Sequence, residues 1–283
     1  MTLSEWLDKG EAALRAGPHP EKARRDAEVL LQHLLRKNKA WLLAHGDHEI
    51  SASASEENVR LLDRRLKGEP IQYLFREIEF FGLTLAVTPK VLIPRPETEH
   101  LVEKAIELSF SYTKPRILDV GTGSGAIAIA IAHDCSRSAA ITATDLSRPA
   151  LKIARFNARR TGFANQIRFL QGDLLEPVAG EQFDLVVSNP PYVPAADRES
   201  LAVEVREYEP GLALFAGGDG LDVYRRLIPA AFAVLAPGGF IALEIGYGQS
   251  DAVRSLLAST GFVEVRFAPD LQGIERVALA QRP

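Results

Sequence analysis

Asn189, Pro190, Pro191 and Tyr192 follow the apolar run "VVS" of residues 186–188, and residue types in this order suit the task of holding a flat nitrogen. The nitrogen of an amide or an aromatic amine has a delocalised lone pair, so it must be gripped and partly rehybridised before it attacks a methyl carbon. The side-chain oxygen of Asn189 can accept one N–H and the carbonyl of Pro190 the other. The two prolines fix φ and carry no N–H to compete for those acceptors. Tyr192 adds an aromatic face on which a planar group can lie. A plain turn is the alternative, because Asn-Pro initiates turns and a second proline stops a strand.

A second stretch with chemical potential is "LDVGTGSGA" at 118–126, where Gly121, Thr122, Gly123, Ser124 and Gly125 join an apolar strand to a helix. Such a loop lets a ligand approach the backbone and presents helix N-terminal amides to an anion. Gly121, Gly123 and Ala126 also satisfy a dinucleotide fingerprint, so the loop admits a nicotinamide cofactor as readily as S-adenosylmethionine. Asp145 ends the next strand about 20 residues on, where a carboxylate can accept from both ribose hydroxyls of an adenosine. Ser147, with Pro149 in the first helical turn, can cap the following helix and leave Asp145 free. Asp173 in "LQGDLLE" can accept from an adenine amino group with Leu174 against the ring, or pair with Glu176 as a cap.

The elements that must position these residues alternate from Arg116 onward. Short apolar strands and helices follow one another through "RILDV", "AAITATD", "IRFLQGD" and "FDLVVSN", which predicts an α/β, doubly wound, mostly parallel sheet. The candidate residues then share its carboxyl edge, where ligands of open sheets bind. Further on, "APGG" reads as a turn before the strand "FIALEIG", and the last two β-rich runs form an antiparallel C-terminal hairpin. Upstream, residues 77–99 carry two extended runs, a β-hairpin, and "ETE" after Pro96 opens a helix with acidic residues in its first turn.

The first 70 or so residues read as a small N-terminal helical domain. Thr2 with Glu5 and Ser53 with Glu56 fit capping boxes, the second preceding Val59, Leu62 and Leu66 at helical spacing. Between them Val29, Leu30, His33 and Leu34 share one face, with His33 expected as a packed core residue, and Gly46 is a plausible C-cap.

The bulk numbers exclude several classes. In 283 residues, 46% hydrophobic and 25% charged, no apolar run is long enough to span a bilayer and the N-terminus lacks a secretory pattern. A cytoplasmic protein is expected. The single cysteine, Cys135, forbids an internal disulfide and a Cys-rich metal site, and is expected in the core. A net charge of −4 argues against a broad footprint for nucleic-acid phosphates.

With "LDVGTGSGA", "TATD" and "SNPPY" in register, the chain resembles class I S-adenosylmethionine-dependent methyltransferases of planar nitrogens. With "GEPIQYL", "VLIPRPETE", "EYEPGLALFAGGDGL" and "DLQGIER" added, it resembles the release factor glutamine methyltransferases over nearly its whole length. The resemblance implies methyl transfer to the side-chain nitrogen (N5) of the glutamine in the Gly-Gly-Gln motif of peptide chain release factors. It implies a cofactor site at Gly121, Thr122, Gly123, Ser124, Gly125 and Asp145 with Asn189 close to the sulfonium, to which the reading of "LQGDLLE" adds Asp173 and Leu174. It implies a catalytic set of Asn189, Pro190 and Tyr192, with Pro191 joining them around the substrate. The expected organisation is a helical substrate-recognition domain at 1–75, a hairpin linker at 76–95 and an S-adenosylmethionine-binding catalytic domain at 96–283. A monomer with no metal, no membrane and no nucleic-acid partner is expected. A DNA or RNA adenine-N6 methyltransferase and a nicotinamide-dependent Rossmann dehydrogenase are the competing expectations. Phe75-Arg76 stands where relatives commonly carry a glycine, and Leu174 where many have an aromatic residue.

Overall fold

A computed structural model describes residues 1–135 and 139–283, with only the backbone of residues 52, 53 and 55. Two compact units emerge: Met1–Arg76 together with Leu201–Tyr208, and Glu77–Ser200 together with Glu209–Pro283.

In the first unit α1 (Leu3–Leu14) starts at Thr2, whose hydroxyl accepts the Glu5 amide while the Glu5 carboxylate accepts the Thr2 amide. It is followed by α2 (Ala23–Leu35), α3 (Lys39–Ala44), α4 (Ala52–Leu66) and α5 (Ile71–Phe75). Leu3, Trp6 and Leu7 pack with Ala27, Leu30, Leu31 and Leu61 in one apolar cluster. Here the structure corrects an expectation. His33 is exposed, not in the core, and stacks on Phe75 with ring centroids 3.7 Å apart. Helix α4 begins behind Ser51, whose hydroxyl accepts the Ala54 amide; the Ser53 side chain expected to cap it lies outside the described residues. This helix buries Asn58, Leu61 and Arg65 and leaves Val59 57% exposed. The face is turned by Arg65, which donates to Asp26 at 2.7 Å and to Glu204 at 2.9 Å, so that paired charges occupy the inside.

The second unit opens with the antiparallel hairpin β1 (Glu77–Phe80) and β2 (Leu83–Ala86), then α6 (Glu97–Ser109) with Glu97 and Glu99 in its first turn. There follow β3 (Arg116–Val120), α7 (Ala126–Asp134), β4 (Ala140–Asp145), α8 (Arg148–Thr161), β5 (Ile167–Gln171) and β6 (Phe183–Ser188). After α9 (Val203–Arg206), which belongs to the first unit, come α10 (Asp222–Val234), β7 (Leu235–Glu244), α11 (Ser250–Thr260), β8 (Val263–Pro269) and β9 (Glu275–Gln281). The sheet order is β5-β4-β3-β6-β7-β9-β8. Pairs from β5 to β7 are parallel, while β9 runs antiparallel to both β7 and β8.

Helix α7 is apolar all round because all seven residues from Ala126 to Ala132 are buried. Cys135, just beyond it, is buried and 3.2 Å from the Ser109 hydroxyl. "APGG" does not form a free turn. It lies inside β7, where the register with β6 shifts between Phe183 and Leu185 as β7 passes from Leu235 to Phe240; Gly238 takes φ 81° in that irregularity. The order reverses at β3, since the chain steps outward to β4 and β5 and returns to β6 on its other side. The carboxyl ends of β3 and β6 therefore flank the crevice.

Candidate functional site

A cavity of about 220 Å³ opens at that edge, lined by Gly121, Gly123, Asp145, Asp173, Leu174, Asn189 and Pro191 among others. Four loops from β3, β4, β5 and β6 thus converge as the sequence pattern predicts. Gly121 takes φ 75°, and a Cβ there would meet nothing, so its face is open to a ligand; Gly125, at φ 84°, would drive a Cβ to 3.2 Å from the Ala154 backbone. One glycine is needed for approach and the other for close packing of α7 on α8.

Four of the five loop amides are already engaged. Gly121 and Thr122 donate to the Thr144 carbonyl, Gly123 to the Asp145 carboxylate at 2.8 Å, and Gly125 to the Thr122 carbonyl. The Ala128 amide in the first turn of α7 donates to the carboxylate of Asp119. The helix N-terminus expected to face an anionic ligand instead faces a protein carboxylate. With these amides taken, the loop has few donors left for a diphosphate, and a cationic or neutral ligand needs none of them.

Thr122 and Ser124 are buried and do not line the cavity. The Thr122 hydroxyl donates to Asp119 at 2.6 Å, and the Ser124 carbonyl accepts from Asn157 at 2.8 Å. Asp119 is fully buried with Oδ1 unpaired, and burial pushes its carboxyl up to about 7 against the hydrogen bonds from Thr122 and Ala128.

Ser147 does cap α8, accepting the Ala150 amide. Asp145 is nonetheless not free. Its Oδ1 accepts the Ser147 amide at 2.7 Å while Oδ2 accepts Gly123. Burial raises its pKa and these two bonds oppose the rise. Two carboxylate oxygens have room for about four acceptor contacts, so capacity for a hydroxyl pair remains. Asp173 is held by Arg226 at 2.5 Å, and its side chain makes no capping bond to Glu176. Leu174 sits at φ 48°, its carbonyl accepting from the Thr144 hydroxyl.

At the end of β6, Asn189 is half-buried and its Nδ2 donates to the Thr98 hydroxyl at 3.1 Å. Among the described residues nothing donates to Asn189 Oδ1 or to the Pro190 carbonyl. Pro190 and Tyr192 do not line the cavity. The Tyr192 hydroxyl donates to Glu244 at 3.2 Å, and its carbonyl accepts from Gln249. Gly220 and Gly246 leave room for this residue: a Cβ at Gly220 would fall 2.3 Å from the Tyr192 carbonyl oxygen. Glu244 is 2% exposed, and burial raises its pKa while bonds from Thr98 and Tyr192 draw it back.

Asn157 lies outside every motif, and Thr98, although inside "VLIPRPETE", and Glu244 are not marked as site residues by sequence. The one hint for Glu244 is an acid closing the apolar run "FIALE" on the strand beside β6. Within "VLIPRPETE", Val91 and Leu92 line the cavity, as does Lys90 before them, and residues 93–99 do not. No cluster of metal-binding side chains occurs among the described residues, and none of their helices is long and apolar enough to cross a membrane.

Residues 5–75 match the family model of the PrmC N-terminal domain and residues 98–207 that of the methyltransferase small domain. A release factor glutamine methyltransferase of Moorella thermoacetica is 44% identical over 283 residues, covering 100% of this chain and 99% of its own. One of Deinococcus radiodurans is 43% identical, with coverage of 100% and 99%. A T. thermophilus 16S rRNA N2 G1207 methyltransferase, solved with AdoMet and guanosine, is 18% identical with a TM-score of 0.54, over 73% of this chain and 50% of its own, a likeness of fold alone.

Proposed function

Since the chain belongs to the release factor glutamine methyltransferases, enzymes that use S-adenosylmethionine to methylate a glutamine side chain of release factors, we propose that Asn189 and Pro190 are its amide clamp. S-adenosylmethionine supplies an electrophilic methyl on a positively charged sulfur. The rest falls to the protein. Asn189 Oδ1 and the Pro190 carbonyl accept the two N–H bonds of the glutamine amide and aim its nitrogen, with Pro191 stiffening the corner. Tyr192 supports that corner through its hydroxyl and carbonyl bonds and is proposed to offer its aromatic face to the planar amide. Gly121 and Gly123 give the cofactor backbone access, Asp145 takes the ribose hydroxyls, and Asp173 with Leu174 borders the adenine. Thr122, Ser124 and Gly125 shape the loop from behind. Once methylated, the nitrogen sheds a strongly acidic proton to a clamp acceptor or to water, and no dedicated base is invoked.

The observation that carries this reading is the amide of Asn189, nitrogen anchored on Thr98 and oxygen uncommitted, at the rim of a cavity shared with Gly121 and Asp145. We further infer a monomeric, cytoplasmic enzyme without a nucleic-acid partner, the last of these supported by a net charge of −4. Residues 1–75 serve as the reader of the protein substrate, 76–95 as a linker and 96–283 as the catalytic domain. Mass spectrometry of a release factor incubated with the protein and cofactor tests the reading. One added methyl on the Gly-Gly-Gln glutamine is expected; label in nucleic acid and none in the factor would contradict it.

A further inference from the structure

We propose that Glu244 and Thr98 are positioning residues that set both arms of the corner, a proposal that rests on Asn189 being the amide clamp. The Thr98 hydroxyl has one proton, and it is donated to Glu244 Oε2 at 2.6 Å. Its oxygen can therefore only accept from Asn189, at 3.1 Å. Asn189 must present its NH2 to Thr98, and its Oδ1 is left for an incoming donor. Turned by 180°, the Asn189 amide would set an oxygen against an oxygen that has no proton to share.

The other oxygen of the same carboxylate, Oε1, accepts the Tyr192 hydroxyl at 3.2 Å. One carboxylate thus sets the direction of Asn189 through Thr98 and holds Tyr192 directly. A carboxylate suits this purpose because it only accepts, which leaves each hydroxyl a single orientation.

The framework behind it is rigid. Thr98 lies in the first turn of α6 and is 3% exposed; Glu244 ends β7, paired with Val277 of β9, and its carbonyl accepts the Tyr224 hydroxyl at 2.7 Å. No salt bridge to Glu244 forms among the described residues. Burying a carboxylate with only hydroxyl partners is unfavourable for folding, and an apolar residue at the end of β7 would avoid that penalty. Its presence is accounted for by what it holds in place.

The test uses the full chain, S-adenosylmethionine and a release factor, with Thr98→Val, Thr98→Ser and Glu244→Gln. Thr98→Val keeps the shape and removes the hydroxyl. It should lower kcat by roughly 10²-fold with affinity for S-adenosylhomocysteine unchanged. Thr98→Ser should restore most of the rate, an outcome that a merely structural role would not produce. In the Asn189→Ala background Thr98→Val should slow turnover no further, because Thr98 acts through Asn189. Glu244→Gln still accepts from Thr98 and should lose less than Thr98→Val. Wild-type turnover in Thr98→Val, or a full additional loss on Asn189→Ala, would overturn the positioning role while leaving the methyltransferase reading intact. Absence of transfer by the wild-type protein would refute the reading itself.

Discussion

The carboxylate of Asp145 accepts the backbone amide of Gly123 at 2.8 Å, tying the tip of β4 to the glycine loop after β3. Its other oxygen holds the Ser147 amide at the start of α8. Asp145 is thus a strut for the loop as well as the proposed ribose acceptor. Asp145→Ala is expected to weaken S-adenosylhomocysteine binding by roughly 10²-fold, the loss of one to two charge-assisted hydrogen bonds. Titration calorimetry measures it, and unchanged affinity would exclude both roles.

Asn157 on α8 is fully buried, and its amide serves two segments at once. It accepts the Ala86 amide at 2.7 Å and donates to the carbonyls of Ala86 and Ser124. Hairpin strand and glycine loop are therefore stapled to one side chain. Asn157→Ala leaves those backbone groups unpaired and should destabilise the fold by about 2–4 kcal/mol in urea unfolding. A change within about 0.5 kcal/mol, the range of an ordinary surface substitution, would show that the staple contributes nothing.

Asp119 gives stability a pH dependence. Its folded pKa of about 7 lies above the ordinary value of 3.8, so the folded chain binds the extra proton. The stabilisation is whole below 3.8 and is lost as pH rises through about 7. Between pH 5 and pH 8 the wild type should therefore lose unfolding free energy relative to Asp119→Asn, which cannot titrate. Parallel curves for the two proteins would contradict the shift.

Much of the site is legible in the sequence because its residue types are chemically unambiguous. Gly121 and Gly123 need positive φ, Asp145 and Asn189 end apolar strands, and α/β alternation brings those ends together. The rest depends on pairs far apart in the chain. Thr98 and Glu244 are separated by 146 positions, and no local pattern joins them. Segment Leu201–Tyr208 groups with the helical unit, where its Glu204 pairs with Arg65, the residue that turns the buried face of α4 away from Val59. A hydrophobic count cannot find a face built on paired charges. "APGG" misleads for another reason: a free turn and a strand irregularity ask the same conformational freedom of Gly238.

Whether Asn189 aims the substrate nitrogen is read from single-turnover methyl transfer by Asn189→Ala, saturated with cofactor. A rate roughly 10²-fold below wild type is expected, with S-adenosylhomocysteine binding largely intact. A variant that methylates the release factor glutamine at the wild-type rate would contradict it.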